Sequence, residues 1–308
     1  MIVADLPAER LQAALNGPGL VVRTGPLAAR IRSPLASVRE GLRLHYGAHP
    51  VLADDAFADF HVLVDRPMGV RRWYQPQAVF SFDGGAPFTP LPLAQAFPLL
   101  EWGLNWCVYT HCDQYLTLHS AVLERGGHAV LMPAYSGSGK STLCAALAFS
   151  GWRLMSDELA LVLPSGRQVR ALPRPISLKN QSIDIIRQFA ADAVFGPTVH
   201  DTQKGSVCHV RPPAGAVEQA DIPASPRWVV FPKYAAGAPA ELKPLSRAQG
   251  FMKMLGQTFN YDTHGREGFN TLAQLVDQSD CYEFSYSRLD DAIAIFDRLA
   301  TDAASQTA

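Results

Sequence analysis

The run Ala134-Tyr135-Ser136-Gly137-Ser138-Gly139-Lys140-Ser141-Thr142 has the composition of a phosphate cradle. Glycines at 137 and 139 let successive backbone N–H groups turn inward onto phosphate oxygens, and a helix opening at the lysine aims its positive end at the same place. In such a loop Lys140 reaches the β- and γ-phosphates, and the Ser141 hydroxyl is placed to ligate Mg²⁺. Ser136, Gly137, Ser138, Gly139, Lys140, Ser141 and Thr142 are therefore the expected phosphate binders. Alanine at 134 takes the place of the first glycine of the usual pattern.

A cradle does not by itself distinguish an ATPase, a GTPase and a kinase, so the next carboxylates matter. Asp157 and Glu158 follow the loop after one helix and a short strand. Two acids so close resist joint ionisation unless a cation neutralises them. Asp157 has two open roles, as a Mg²⁺ ligand or as the base that takes a proton from an attacking hydroxyl. The base-recognition sequence N-K-x-D of GTPases is absent. In "LPRPISLKN" two prolines stiffen a segment that carries Arg174 and Lys179, two cations suited to charge on a transferring phosphoryl group. Lys204 and Arg211, in "TQKGSVCHVRPP", are weaker candidates of the same kind. His119 interrupts an apolar strand and is either a hydrogen-bonded structural residue or part of the site.

These residues need elements to hold them. "YLTLHSAVLE", "RGG" and "HAVLMPA" read as strand, turn and strand, with Arg125-Gly126-Gly127 as the hairpin turn. "KSTLCAALAFSG" reads as a helix ended by Gly151, with Cys144 packed inside it, and "RLMSDELALVL" as one further strand. Residues 1–95 read as a smaller α/β region, with a helix at Ala8–Leu15, a helix in "LASVREGLRLHYG" and strands "LVVRT", "FHVLVD" and "QAVFSFDG". A Pro-rich linker then enters a helix whose Trp102 and Trp106 share one face and read as core. Ser246 and Gln249 form a capping box before a helix. Proline and glycine cluster between 196 and 240, where long loops are expected, and residues 301–308 are expected to fray.

Composition narrows the partners. The chain has 308 residues, 48% hydrophobic and 18% charged, with 27 Lys plus Arg against 28 Asp plus Glu. That balance provides no broad electrostatic surface for nucleic acid or anionic lipid, so neither is an expected partner. Five scattered cysteines without a C-x-x-C pair indicate neither a zinc site nor a disulfide framework, and fit reduced thiols in the cytoplasm. The start lacks a signal peptide's basic and apolar parts, and no apolar run is long enough to span a bilayer.

Residues 118–162, from "LHSAVLERGG" through "SGSGKST" to "GWRLMSDELALV", resemble the catalytic core of the HPr serine kinase/phosphorylase family, whose P-loop fold is shared with ATP-dependent phosphoenolpyruvate carboxykinase. His119, the loop with Lys140, and the acidic pair match that family's motifs in order. "LPRPISLKNQ", "DTQKGSVCHVRPP" and "CYEFSYSRLDDA" look most like the HPr-kinase-related kinase A subgroup. Glu158 stands where the family has a second aspartate, and no Glu-Ile-Arg-Gly type signature follows.

The resemblance implies an α/β fold with a P-loop kinase core over residues 96–300. It implies ATP and Mg²⁺ as cofactors, Asp157, Lys140 and His119 as catalytic residues, and Ser141, Asp157 and Glu158 as metal ligands. Asp157 is then the base and Glu158 orients metal or water. The expected reaction moves the γ-phosphate to a hydroxyl, a serine of a protein or peptide. The subgroup's association with peptide-modification loci points to a precursor peptide with a PqqD-like carrier. A nucleotide switch without a phosphorylated product and a small-molecule kinase are the alternatives. Oligomeric state and any phosphorylase activity are left open.

Overall fold

The computed structural model describes residues 1–135 and 137–307; Ser136, expected in the phosphate cradle, and Ala308 lie outside the described residues. The fold is mixed α/β, built on three sheets.

The largest sheet has eight strands. Its order runs Val169–Arg170, Leu159–Val162, Leu116–Arg125, His128–Pro133, Ser225–Tyr234, Asp280–Tyr286 and Glu241–Leu245, with Arg153–Ser156 also paired to Leu116–Arg125. Ser225–Tyr234 is parallel to both of its neighbours, and the remaining pairs are antiparallel. Strand Leu116–Arg125 is buried on both faces, which explains its nearly unbroken apolar sequence. Side-chain alternation sends Ala121 and Leu123 to the core beneath the helix Lys140–Phe149, and Leu116, Leu118 and Val122 to the core on the other face. His119 therefore belongs to the face that carries that helix. The helix itself is deeply buried: Leu143, Cys144, Ala146 and Leu147 are all fully covered.

The region between 196 and 240, expected as long loops, is largely regular. It contains the hairpin Val199–Thr202 and Gly205–Val210, a short helix Ala214–Glu218 and the central strand Ser225–Tyr234. The prolines that argued against a strand are accommodated locally. Pro226 adjoins a register shift, and Pro232 lies beyond the pairing with His128–Pro133, which ends at Val229. A proline costs a ladder bond only where the neighbouring strand needs its N–H.

The N-terminal sheet orders Leu20–Thr24, Leu27–Arg32, Phe60–Asp65, Gln77–Phe82 and Leu91–Pro92. Helix Ala96–His111, expected to begin the second region, packs into the same core as this sheet. Leu159, Leu161 and Leu172 join that core, so the Pro-rich stretch before residue 96 does not separate two cores. A buried cluster ties the layers further: Tyr46 donates to Glu101 at 2.6 Å, and Arg174 stands 3.8 Å from the same carboxylate. The segment expected to fray is helical to Thr307 as the end of helix Leu289–Thr307, which packs against helix Lys140–Phe149.

Candidate functional site

The strand His128–Pro133 delivers the chain to the glycine loop, and helix Lys140–Phe149 leaves it. Gly137 and Gly139 have φ of 88° and 89°, a region that side chains disfavour. Gly139 is constrained twice. A Cβ there would lie 2.6 Å from the Tyr286 hydroxyl, which donates to the Gly139 carbonyl at 2.9 Å. The Tyr234 amide donates to the Ser138 carbonyl at 2.9 Å, so both parallel strands behind the loop fix its shape.

The acidic pair sits at a break in the ladder. His119 pairs with Leu159 and Val122 with Ser156, which leaves Asp157 and Glu158 as the corner between two short strands where one continuous strand was expected. The Ser120 amide donates to the Glu158 carbonyl at 3.1 Å and holds the corner. Cross-strand adjacency then brings the Glu158 side chain to His119: Oε2 is 3.1 Å from Nε2. Lys140 Nζ lies 3.1 Å from the same His119 nitrogen and 3.9 Å from Glu158 Oε2, and Lys179 Nζ lies 3.7 Å from Glu158 Oε1.

These contacts set the electrostatics. Burial alone would raise the Glu158 carboxyl, but Lys140, the His119 hydrogen bond and Lys179 outweigh it and hold it well below the usual carboxylate range. Asp157 goes the other way: burial, then the Glu158 charge, push it up, with Lys140 and the Ser177 amide opposing. Two neighbouring carboxylates driven apart in this way can serve different tasks.

A cleft of about 240 Å³ opens at the loop. His119, Lys140, Ser141, Thr142, Glu158 and Lys179 all face it, together with the backbone of Gly137–Gly139. Lys204 faces it as well, at the tip of the 199–210 hairpin, with Nζ 5.4 Å from the Trp102 ring centroid. Three lysines thus surround one small volume. Burial, then Lys179, lower the Lys204 pKa from its ordinary value.

Several expected residues are placed elsewhere. Asp157 does not line the cleft; it is 4% exposed, and its Oδ2 accepts from the Ser177 amide at 3.0 Å. Arg174 is buried against Glu101 and Asn105 of helix Ala96–His111 and does not line the cleft, although it shares a small pocket behind it with Asp157 and Glu158. Arg211 donates to the Leu44 carbonyl on the N-terminal side. Both tryptophans are partly buried; Trp106 packs against the N-terminal core as expected, whereas Trp102 does not join it. Ser177 and Ser182 line the cleft and were missed. A polar alternation in "ISLKNQS" is the one sequence signal for them.

A second groove of about 970 Å³ continues from the loop, sharing Tyr135, Gly137 and Ser138. Lys233, Lys243 and Lys253 stand along it, with Glu241 and Glu283 among them. Among the described residues no group of three or more His, Cys, Asp or Glu is arranged to hold a metal ion without other donors. No helix among them is long and apolar enough to cross a membrane.

A family model described as "SynChlorMet cassette protein ScmC" matches residues 100–190, the part that carries His119, the glycine loop and the acidic pair. No curated protein matches the chain. Among solved structures, the chain is similar to the Hpr(Ser) kinase/phosphatase from Coxiella burnetii, with 11% identity, a TM-score of 0.27, and coverage of 62% of this chain and 99% of that one. A likeness at that score carries no conclusion about fold or chemistry.

Proposed function

We propose that the chain is an ATP- and Mg²⁺-dependent kinase that transfers the γ-phosphate to a hydroxyl of a protein or peptide. The observation that carries this reading is the convergence of Lys140, Lys179, Lys204, His119 and Glu158 on one cleft at the glycine loop. Phosphoryl transfer needs little covalent chemistry from the protein; it needs alignment and cations around the transferring group. Three lysines and the helix N-terminus supply the charge.

The donor set fits Mg²⁺. That ion keeps most of its waters, takes one or two carboxylates, and shares phosphate oxygens with its nucleotide. Ser141 and Glu158 are the residues that would hold it, with Asp157 behind them. The ion would offset the charge on the phosphate oxygens. The Glu158 carboxylate, oriented by the His119 Nε2–H, is the group placed to take the acceptor's proton, and His119 positions it. The groove running from Tyr135 to Lys243 provides more surface than a free metabolite requires and favours an extended acceptor such as a precursor peptide.

The test is incubation with γ-labelled ATP, Mg²⁺ and a panel of serine-containing peptides and small hydroxyl compounds. Label on a peptide is the expected result. Release of free phosphate alone, in the presence of every acceptor, would replace the kinase with a hydrolytic switch.

A further inference from the structure

A cavity of about 590 Å³, larger than the phosphate cleft, lies between helix Ala36–His45, the start of helix Ala96–His111 and the hairpin that ends at Val210. Its walls are mostly apolar, with Leu44, Phe97, Pro98, Pro197 and Val199 prominent. Arg43 and Arg211 contribute two cations and Glu40 one anion, so the lining carries a net positive charge. The hydrogen bond from Arg211 Nε to the Leu44 carbonyl anchors that guanidinium at the cavity edge.

Two imidazoles complete the lining. His45 and His209 are 1% and 4% exposed, and His45 Nδ1 and His209 Nε2 each lack a protein hydrogen-bond partner. Their rings lie 6.3 Å apart, with Phe97 packed on both, at 5.2 Å from His45 and 5.4 Å from His209. Burial holds His45 down to about 4 and His209 to about 3, so both are neutral and the positive charge belongs to the arginines. A largely apolar concave volume of this size, lined by a few polar groups, is the usual form of a small-ligand site. Unpartnered buried polar atoms add a cost that a hydrogen-bonding ligand relieves.

We propose that this cavity is a second ligand site, separate from the phosphate cleft, which takes a small amphipathic anion: an aromatic or branched apolar body bearing one acidic group. The apolar body contacts Phe97, Leu44 and Val199, and the acidic group meets Arg43 and Arg211. The site is one strand pair from the phosphate cleft, because His209 is the ladder partner of Ser177, which lines that cleft. It does not depend on the kinase reading, since none of its lining residues belongs to the glycine loop.

Fluorescence titration with 8-anilinonaphthalene-1-sulfonate, an aromatic sulfonate, tests it on the full chain with ADP and Mg²⁺ present to compete for the phosphate cleft and its groove. One saturable site is expected. Arg43→Glu, a change on the exposed face of its helix, should weaken it at least tenfold, and Leu44→Trp should abolish it by filling the cavity. Thermal melts confirm that each variant is folded; should Leu44→Trp fail to fold, Arg43→Glu decides alone. Binding that never saturates, or an affinity that Arg43→Glu leaves unchanged, overturns the proposal.

Discussion

Lys140 Nζ and Glu158 Oε2 approach the same nitrogen, His119 Nε2, each at 3.1 Å. One ring nitrogen cannot serve both: an ammonium needs its lone pair, and a carboxylate needs its N–H. The lysine is thus held by a contact that competes with the His119–Glu158 bond, and moving Lys140 to a phosphate frees His119 to donate to Glu158. Under the proposed function, loading the loop with nucleotide and ordering the dyad are then one event.

Lys140→Met should therefore lower turnover on the order of 10²–10³-fold, the scale of losing one preorganised charge in a phosphoryl site. Its melting temperature should stay close to that of the unaltered chain, because the His119–Glu158 bond can then form unopposed. Near-normal ATP turnover in this variant would remove the P-loop assignment.

The two carboxylates should behave differently. Glu158→Gln and His119→Gln are expected to cut transfer by about 10²-fold or more, with Glu158→Gln also raising the Mg²⁺ needed. Asp157→Asn keeps an oxygen for the Ser177 amide and should retain transfer within about tenfold. Steady-state rates across a Mg²⁺ series distinguish the cases. A larger loss for Asp157→Asn than for Glu158→Gln would return the base role to Asp157.

Arg174 is predicted to matter for stability and not for phosphate. Removing one partner of a buried ion pair leaves the other uncompensated, at a cost of about 3 kcal/mol or more. Arg174→Met should lower the denaturation midpoint accordingly, while the KM for nucleotide, measured where the variant is folded, changes less than twofold. A large KM increase without destabilisation would place Arg174 at the phosphates after all.

Removing residues 1–90 should prevent folding. The truncation strips the cover from Leu99, Leu100 and Leu104 and from Leu159 and Leu161, which share one core with the N-terminal sheet. Circular dichroism and size-exclusion chromatography are expected to show an unfolded or aggregated product. A monomer with a cooperative melt would show that the layers are separable.

Stability should fall as pH drops from 7 to 5. Burial above all lowers His45 and His49 to about 4 and His209 to about 3, so each stays neutral in the folded chain while the unfolded chain takes up a proton near 6.5. Stability is complete above that value and is lost as pH descends toward the folded values, by about 2 kcal/mol per histidine at pH 5. His49 donates to the Pro173 carbonyl at 2.8 Å. His49→Gln should make the pH dependence of chemical denaturation shallower by a similar amount; an unchanged slope would show that His49 is protonated in the folded state.

The glycine loop was legible in the sequence because its backbone demands are local. Glycine at 137 and 139 answers a backbone demand that no neighbour can alter, and Ser246 with Gln249 closes its cap within one turn. The apolar runs of Leu116–Arg125 and His128–Pro133 likewise announced buried strands. Relations across the ladder could not be read in this way. That Glu158 faces the cleft while Asp157 turns to the Ser177 amide depends on a break opposite Ser120. That Arg174 meets Glu101, and Lys204 meets Trp102, depends on helix Ala96–His111 packing with the N-terminal sheet. A cation in a short polar segment has the same sequence signature whether it ends at a phosphate or in a buried pair. Only the packing of distant segments decides which carboxylate is near enough to claim it, because Coulomb attraction and desolvation are set by distance and burial in three dimensions.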